Sequence, residues 1–498
     1  MKKNLSKSKL LAFRQCPRRL WLEIHRPVLR EDSSATLASF AAGHTVGEVA
    51  WHLYDPKGKG VVFNPGIQRH ADVLAQSVAL LDSRNPIFEA GFATQGALAY
   101  ADVMLPVKRG GKRLWRMVEV KSSTSVHDYH RDDAAIQSYI ARRAGVPLAA
   151  IALAHIDSKW TYAGNGDYNG LLVETDLTDD AFGREGEVEE WIAGARKIAA
   201  RRTEPGICTG AQCRKPFACG FLDYCESKEE QPDYPVAWLP DVRRKDLKEH
   251  LSHPEVTDLR QVPDTLLNEL QLRVKTSSLS GKLWFNRKSA AKALKPHGYP
   301  AWFLDFESIS LPVPIWAGTR PYQNICFQFS LHRMSRMGKL KHEAFLDLSG
   351  NDPSKELAAA LISACGKRGP IFVYNASFEK ARIRELAGRF PRMRGALLAI
   401  DDRVVDLHPI TREHYYHPDQ EGSWSLKCVL PTIASDLGYE KLAGVKDGRM
   451  AMTAWMEAVF PGESSTRSKT EIDRQLRAYC KLDTLAMVML WQMLSGRS

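Results

Sequence analysis

Residues 301–308 read AWFLDFES. Asp305 and Glu307 stand one residue apart in an apolar run, and in a strand the side chains at i and i+2 share a face. Two carboxylates side by side on a segment fit for burial repel each other and lose hydration. A divalent cation between them relieves both penalties. Further donors follow downstream. Asn375 and Glu379 open a helical stretch after the apolar run PIFVYN, and Tyr479 and Asp483 in AYCKLDTLAM are four apart, on one helical face. A second acidic group lies earlier. Asp102 in LAYADVML precedes Glu119 and Lys121 in LWRMVEVKSS, with a basic turn between the two stretches. Glu119 and Lys121 share a face, and pairing of the two strands puts Asp102 beside Glu119. Two acids and a lysine make a compact Mg²⁺ site, in which the acids hold the ion and the lysine orients or polarises water.

The cysteines form a third group. Cys208, Cys213, Cys219 and Cys225 fall within 18 residues, and Cys16 lies far upstream in RQCPRRLW. Thiolates so spaced bind soft metal. Zinc ribbons use two close C-x₂₋₄-C pairs, and the gaps here are wider. Cys326, Cys365, Cys428 and Cys480 lie singly in apolar stretches and read as core thiols. His408, His414 and His417 sit in LHPITREHYYHP, read as a polar aromatic loop with surface or substrate-contact histidines.

The elements that must carry these groups alternate. SFAAGHTVGEVAWHLY and DDAAIQSYIARRAG have helical period; LAYADVML, LWRMVEVKSS and PLAAIALAHI read as strands. The last third gives strands at AWFLDFES, NICFQFSLHR and PIFVYN, then helices from ASFEKARIRELAGRF onward. The fold class is α/β, in two domains at 1–225 and 296–498, joined by a charged helical connector at 226–295. Hydrophobic residues are 44% and charged residues 26% of 498, which excludes disorder as the main state. The net charge of +11 suits a polyanion partner. No stretch approaches a membrane span, and the N-terminal lysines are not followed by a signal-peptide core, so a cytoplasmic protein is expected. G-x-x-x-x-G-K-[ST] does not occur, so no P-loop motor is encoded.

Four resemblances follow from these residues. Asp102 with Glu119-x-Lys121 resembles the PD-(D/E)XK nucleases. Gln137 with Tyr139 resembles the extra motif of their RecB branch, and Glu48 in GHTVGE occupies the place where that branch often has a histidine followed by an acid. CPRRLW at Cys16 with the later trio resembles the iron–sulfur-stapled RecB-like nucleases. The resemblance implies a [4Fe–4S] cluster on Cys16, Cys213, Cys219 and Cys225, with zinc as the alternative; Cys208 either replaces Cys16 or is a bystander. Asp-x-Glu, Asn-x-x-x-acid and Tyr-x-x-x-Asp, in that order, resemble the DEDD exonucleases, the DnaQ-like branch of the ribonuclease H fold. This implies Mg²⁺ or Mn²⁺ on Asp305, Glu307, Glu379 and Asp483, with Tyr479 orienting water. RVVDLH, with Asp406, resembles the strand between the second and third motifs, and GSWSLKCVLP the S-L-K segment that follows. The second motif normally ends in Asp, where this chain has Glu379. Residues 300–490 resemble a bacterial family catalogued as domain of unknown function 2779, in DFE, PYQ…FQFS, YNASFEK and YC…DT.

The expectation is therefore an Mg²⁺- or Mn²⁺-dependent nuclease acting on DNA. The first site would cut single-stranded ends or flaps and the second would trim 3′ ends, in repair or in defence against foreign DNA. The alternatives are an RNA exonuclease, which cleavage of ribo- against deoxy-substrate separates, and a nucleic-acid-binding scaffold with dead sites, which would bind without cutting.

Overall fold

The structure, a computed structural model, describes residues 4–462 and 465–497. It is mixed α/β and divides into two compact units. One is Met1–Glu230 with Leu311–Gln323; the other is Gln231–Ser310 with Asn324–Ser498. Of the stretch 226–295, expected as a connector, residues 231–295 belong to the second unit and 226–230 to the first, and 311–323 belongs to the first as well.

The first unit is built on a seven-stranded sheet. Its strands are β1 (Leu5–Ser6), β2 (Val61–Val62), β3 (Ile87–Thr94), β4 (Ala97–Arg109), β5 (Lys112–Lys121), β6 (Leu148–Ile156) and β7 (Leu172–Asp176), in spatial order β2-β3-β4-β5-β6-β7 with β1 on β4. β4 and β5 form an antiparallel hairpin across the basic turn, with Val103 opposite Val118, so Asp102 falls next to Glu119. β6 runs parallel to β5, as a strand reached through a crossover helix must. That helix lies over β3, β4 and β6 and buries Ala134, Ala135, Ile136 and Ile140 in the main core. The N-terminal residues belong to this core too. Leu5 N–H donates to Gly96 O at 3.0 Å, and Asn4 Oδ1 accepts from Gly96 N–H at 3.1 Å. Helix α1 (Lys7–Gln15) starts at once, capped by Ser6, and Cys16 separates it from α2 (Pro17–His25), which has Pro17 at its first position. Helix α3 is Ser34–Tyr54, α4 is the crossover helix Asp128–Arg143, and α5 is Glu185–Ala199. Within this unit Tyr162 exchanges backbone hydrogen bonds with Gly318 and Thr319.

The second unit holds a five-stranded sheet. Strands β9 (Ala301–Ser310), β10 (Asn324–Met334), β11 (Leu340–Leu346), β12 (Ile371–Val373) and β13 (Val404–Asp406) follow the short β8 (Trp284–Phe285), and the order is β11-β10-β9-β12-β13. β9–β10–β11 is an antiparallel meander; β12 and β13 join parallel to β9. The strands predicted at 301–308, 324–333 and 370–375 all lie in this sheet. Helix α6 (Ser377–Arg389) leaves the end of β12, α7 is Leu426–Ile433, α8 is Gly448–Val459, and the long α9 (Lys469–Ser495) packs on β9 and β10. Its Trp491 packs against Phe303 and Phe372 in the core.

LHPITREHYYHP is not a loop. Its first part is a helix, Leu407–His414, and Tyr415–Tyr416 is a strand, β14, paired with β8. His414, Tyr415 and Tyr416 are buried, because this segment covers one side of the core.

Candidate functional sites

In the second unit, Asp305 and Glu307 do share a face of β9. They pair across to Ser330 and Gln328 of β10. Gln328 Nε2 donates to Leu476 O at 3.0 Å and so ties α9 to the sheet one turn before Tyr479. Tyr479, Cys480 and Asp483 thereby face β9. Glu379, in the first turn of α6, completes a group of four acids. Burial raises the Asp305 carboxyl well above the usual range, and Asp483, Glu307 and Glu379 push in the same direction. Burial and Asp483 do the same to Glu307. Asp483 is raised to about 6 by burial, held back by a hydrogen bond from Tyr439 Oη to its Oδ1 at 2.5 Å. Glu379 is raised to about 8, by burial first and then by Asp406. Glu379 is 4% and Asp483 7% exposed, yet among the described residues Glu379 Oε2 and Asp483 Oδ2 have no hydrogen-bond partner. Buried acceptors without donors are rare and costly.

Asp406 lies close by but is spoken for. It accepts the backbone N–H groups of Asn375, Ala376 and His408, each at 2.9 Å. It thereby holds the tight β12–α6 turn, where Asn375 has φ 74°. Sequence reasoning missed three neighbours. Lys427, of the S-L-K stretch, lies over the rings of Tyr439 and Tyr479 at 5.4 and 5.6 Å and lowers the Glu307 carboxyl against its burial. Tyr439 caps Asp483. Cys480, read as a core thiol, is fully buried but has Asp305 Oδ2 at 3.5 Å. Among the described residues, only Asp305, Glu307 and Cys480 bring three ligand atoms within 4.8 Å of one another.

Residues 302–425 match a family of unknown function. Its description is "Domain of unknown function (DUF2779)". The match is shorter than the stretch 300–490 expected from sequence. It covers Asp305, Glu307, Glu379 and Asp406 and stops before Lys427, Tyr479 and Asp483. No curated protein matches the chain.

In the first unit, Glu119 is 1% exposed at the end of β5. Its Oε1 accepts from Lys121 and, at 2.9 Å, from Lys7; its Oε2 accepts from Gln137. Asp133, one helical turn before Gln137 on α4, takes Lys121 at 2.6 Å, Lys7 at 3.1 Å and Gln137 at 3.1 Å. Burial alone would lower both ammonium groups, but Asp133 and Glu119 hold Lys7 and Lys121 above the usual lysine range. Asp133 is itself pulled far down by the two lysines, against its burial. Asp102 accepts Val120 N–H at 2.7 Å, and burial and Glu119 raise its carboxyl. Glu89, on β3 with φ 55°, is raised to about 7 by burial and then by Glu119.

The predicted residues Asp102, Glu119, Lys121 and Gln137 are thus together. Glu48 is not with them. On α3 only Val46 and Ala50 are buried, and a residue midway between them, about 200° round the helix from each, faces water. Tyr139 points elsewhere as well, donating to Glu189 Oε1 of α5 at 3.1 Å. Glu89, Lys7 and Asp133 were missed. The i, i+4 spacing of Asp133 and Gln137 was the available signal for one of them.

All five cysteines line one cavity with Arg18, Leu22 and Phe221. Burial raises the Cys219 and Cys225 thiols, Cys225 to about 11, and their cysteine neighbours push the same way, Cys213 and Cys16 on Cys219 and Cys219 and Cys213 on Cys225. Cys208 lines the same cavity but is exposed. Arg18, paired with Glu204 at 2.5 Å, and Gln15, donating to Gln212 O and Phe217 O at 2.7 Å each, tie the early helices to the late loop. Among the described residues no helix is long and apolar enough to cross a membrane.

Proposed function

We propose that this chain is a metal-dependent nuclease acting on DNA, with one site in each unit. It would cut single-stranded ends or flaps at the first and trim 3′ ends at the second, in DNA repair or in defence against foreign DNA. One observation carries the reading: Asp305, Glu307, Glu379 and Asp483 converge in the second unit, and two of their buried oxygens have no partner. Four carboxyl groups at one place fit Mg²⁺ or Mn²⁺, and the Cys480 thiol beside Asp305 suits the softer Mn²⁺. When bound, such ions supply the charge that activates water and stabilises the phosphate. The chain's own groups do the rest. Tyr479, against Asp483, orients the attacking water. Lys427 offsets charge beside Glu307. In hydrolysis a water oxygen bonds to phosphorus, the bond from phosphorus to O3′ breaks, the water gives up a proton, and O3′ takes one.

At the first site Asp102 and Glu119 are the ligand pair, Glu89 is better placed than Glu48 for a third ligand, and Lys121 orients the water. The cysteine cavity fits a soft centre, since its donors are thiols. The gaps between the later cysteines are wider than the close pairs of a zinc ribbon, which favours a [4Fe–4S] cluster, and Cys16, Cys213, Cys219 and Cys225 would hold it.

The test uses full-length protein on end-labelled single- and double-stranded DNA and RNA, with Mg²⁺, Mn²⁺ or chelator. Mg²⁺- or Mn²⁺-dependent DNA cleavage, lost at one site in Asp305→Ala and at the other in Lys121→Ala, is expected. Binding without cleavage would sink the reading. Cleavage confined to RNA would replace it with the RNA exonuclease.

A further inference from the structure

The N-terminal acidic site holds two lysines, and the proposed chemistry uses one. Lys7 arrives from a segment 112 residues before Glu119, with a side chain only 18% exposed. Its position is built. β1 pairs with β4, Ser6 caps α1, and Leu10 is fully buried one turn along. Its two acidic partners, Glu119 and Asp133, are also those of Lys121. Lys121 alone would bridge that acid pair, so holding the two carboxylates together does not require Lys7.

Charge gives it another task. Glu89, Asp102, Glu119 and Asp133 bring four carboxyl groups against two ammonium groups. With all four ionised, one divalent ion would make up the balance. Phosphodiester hydrolysis in two-ion sites uses a second cation beside the phosphate oxygens. Here the Lys7 ammonium already stands against the acid group, 2.9 Å from Glu119 Oε1 and 3.1 Å from Asp133 Oδ1. Asp133 keeps it there even when Glu119 turns to an ion, because Lys7 lies within reach of both carboxylates.

We propose that Lys7 is a second catalytic lysine of the N-terminal site, binding a non-bridging oxygen of the scissile phosphate and doing with an ammonium what a second divalent ion does elsewhere. This rests on the nuclease reading of that site. A second lysine works by charge alone, without proton transfer, so arginine retains part of the function and a neutral side chain does not.

The experiment uses the full chain with the second site silenced by Asp305→Asn. Mn²⁺ binding is titrated calorimetrically, and the ion of the first site is identified by its loss in Asp102→Asn. Single-turnover cleavage of a DNA flap is measured at saturating Mn²⁺. Lys7→Met and Lys7→Gln are both made, so that one soluble variant suffices. The expected result is one ion, held at least as tightly in Lys7→Met as in the parent because a competing cation is gone. Cleavage falls about 100-fold, of which Lys7→Arg recovers about tenfold. Neutral Lys7 variants that cut within about threefold of the parent, while Lys121→Met is dead, overturn the proposal and leave the nuclease reading standing. If Lys121→Met cuts like the parent, or nothing cuts, the reading of the site fails and the proposal with it. Weaker Mn²⁺ binding in the neutral variants also overturns it, since Lys7 would then only support the ligands.

Discussion

Glu379→Gln removes one buried ionisable group and almost no volume. In the folded protein the Glu379 carboxyl titrates at about 8, against 4.5 for the free side chain. The folded state therefore holds its proton more tightly than the unfolded chain. Between pH 4.5 and 8 the unfolded chain has released that proton and the folded one has not, so stability falls as pH rises through the window. A pKa difference of one between the two states is worth about 1.4 kcal/mol. Without bound metal, the ionisable carboxyl disfavours folding by about 1 kcal/mol at pH 5, about 3 at pH 7 and about 5 at pH 8.5. Glutamine carries no such penalty. At pH 7 in chelator, Glu379→Gln should melt roughly 6–12 °C above wild type, at about 2–4 °C per kcal/mol for a unit of this size. The gap should shrink at pH 5 and widen at pH 8.5. Added Mn²⁺ should close it from the other side, since ligand binding stabilises only the protein that binds it. Scanning fluorimetry across three pH values, with EDTA and with Mn²⁺, makes the measurement. Equal melting temperatures at pH 7, or a gap that ignores pH, would refute the argument that Glu379 is an uncompensated buried acid waiting for a cation.

Three further outcomes are expected. Lys121→Ala should lower flap or end cleavage by at least about 100-fold and leave 3′ trimming intact, and Asp305→Ala should do the reverse; a variant that abolishes both on end-labelled strands would show that the sites are not independent. Asp406→Asn should cost about 2 kcal/mol or more in denaturant unfolding, because a carboxylate accepts three backbone N–H groups there, and Glu379→Asp should keep at least partial trimming; a stable but inactive Asp406→Asn beside a normal Glu379→Gln would move the metal site to Asp406. Anaerobically purified protein should be brown, and Cys213→Ser should lose that colour and its protease resistance while Cys365→Ser keeps both; colourless protein with stoichiometric zinc would reject the iron–sulfur assignment.

Much of both sites was legible because strand and helix periodicities act within short windows. Asp305 and Glu307 had to share a face, as did Glu119 and Lys121, and Tyr479 and Asp483 had to lie one turn apart. A hairpin across a basic turn brought Asp102 to Glu119 with no help from the rest of the chain. What stayed hidden comes from elements that dock from far away in sequence. Nothing in LSKSKL announces that Lys7 reaches Glu119, because the reason is a two-residue parallel pairing of Leu5 and Ser6 with Ala97 and Leu98. Glu89 owes its place to a left-handed backbone turn inside a strand, which an ordinary glutamate in an apolar stretch does not signal. Glu48 failed for the opposite reason. Motif position alone puts it at the site, whereas the burial of Val46 and Ala50 decides which way it points.

The path of the chain has a consequence for how the protein is made and inherited. Leu311–Gln323 lies between two strands of the second unit in sequence but is part of the first. During synthesis, the N-terminal unit is missing a piece until the ribosome has passed residue 323, by which time β9 of the other unit is already out. A stop anywhere near residue 230 releases an incomplete fold, and no single break in the gene yields the two units as whole proteins. Exchanging one unit for another therefore requires cutting the chain at three places, after residues 230, 310 and 323.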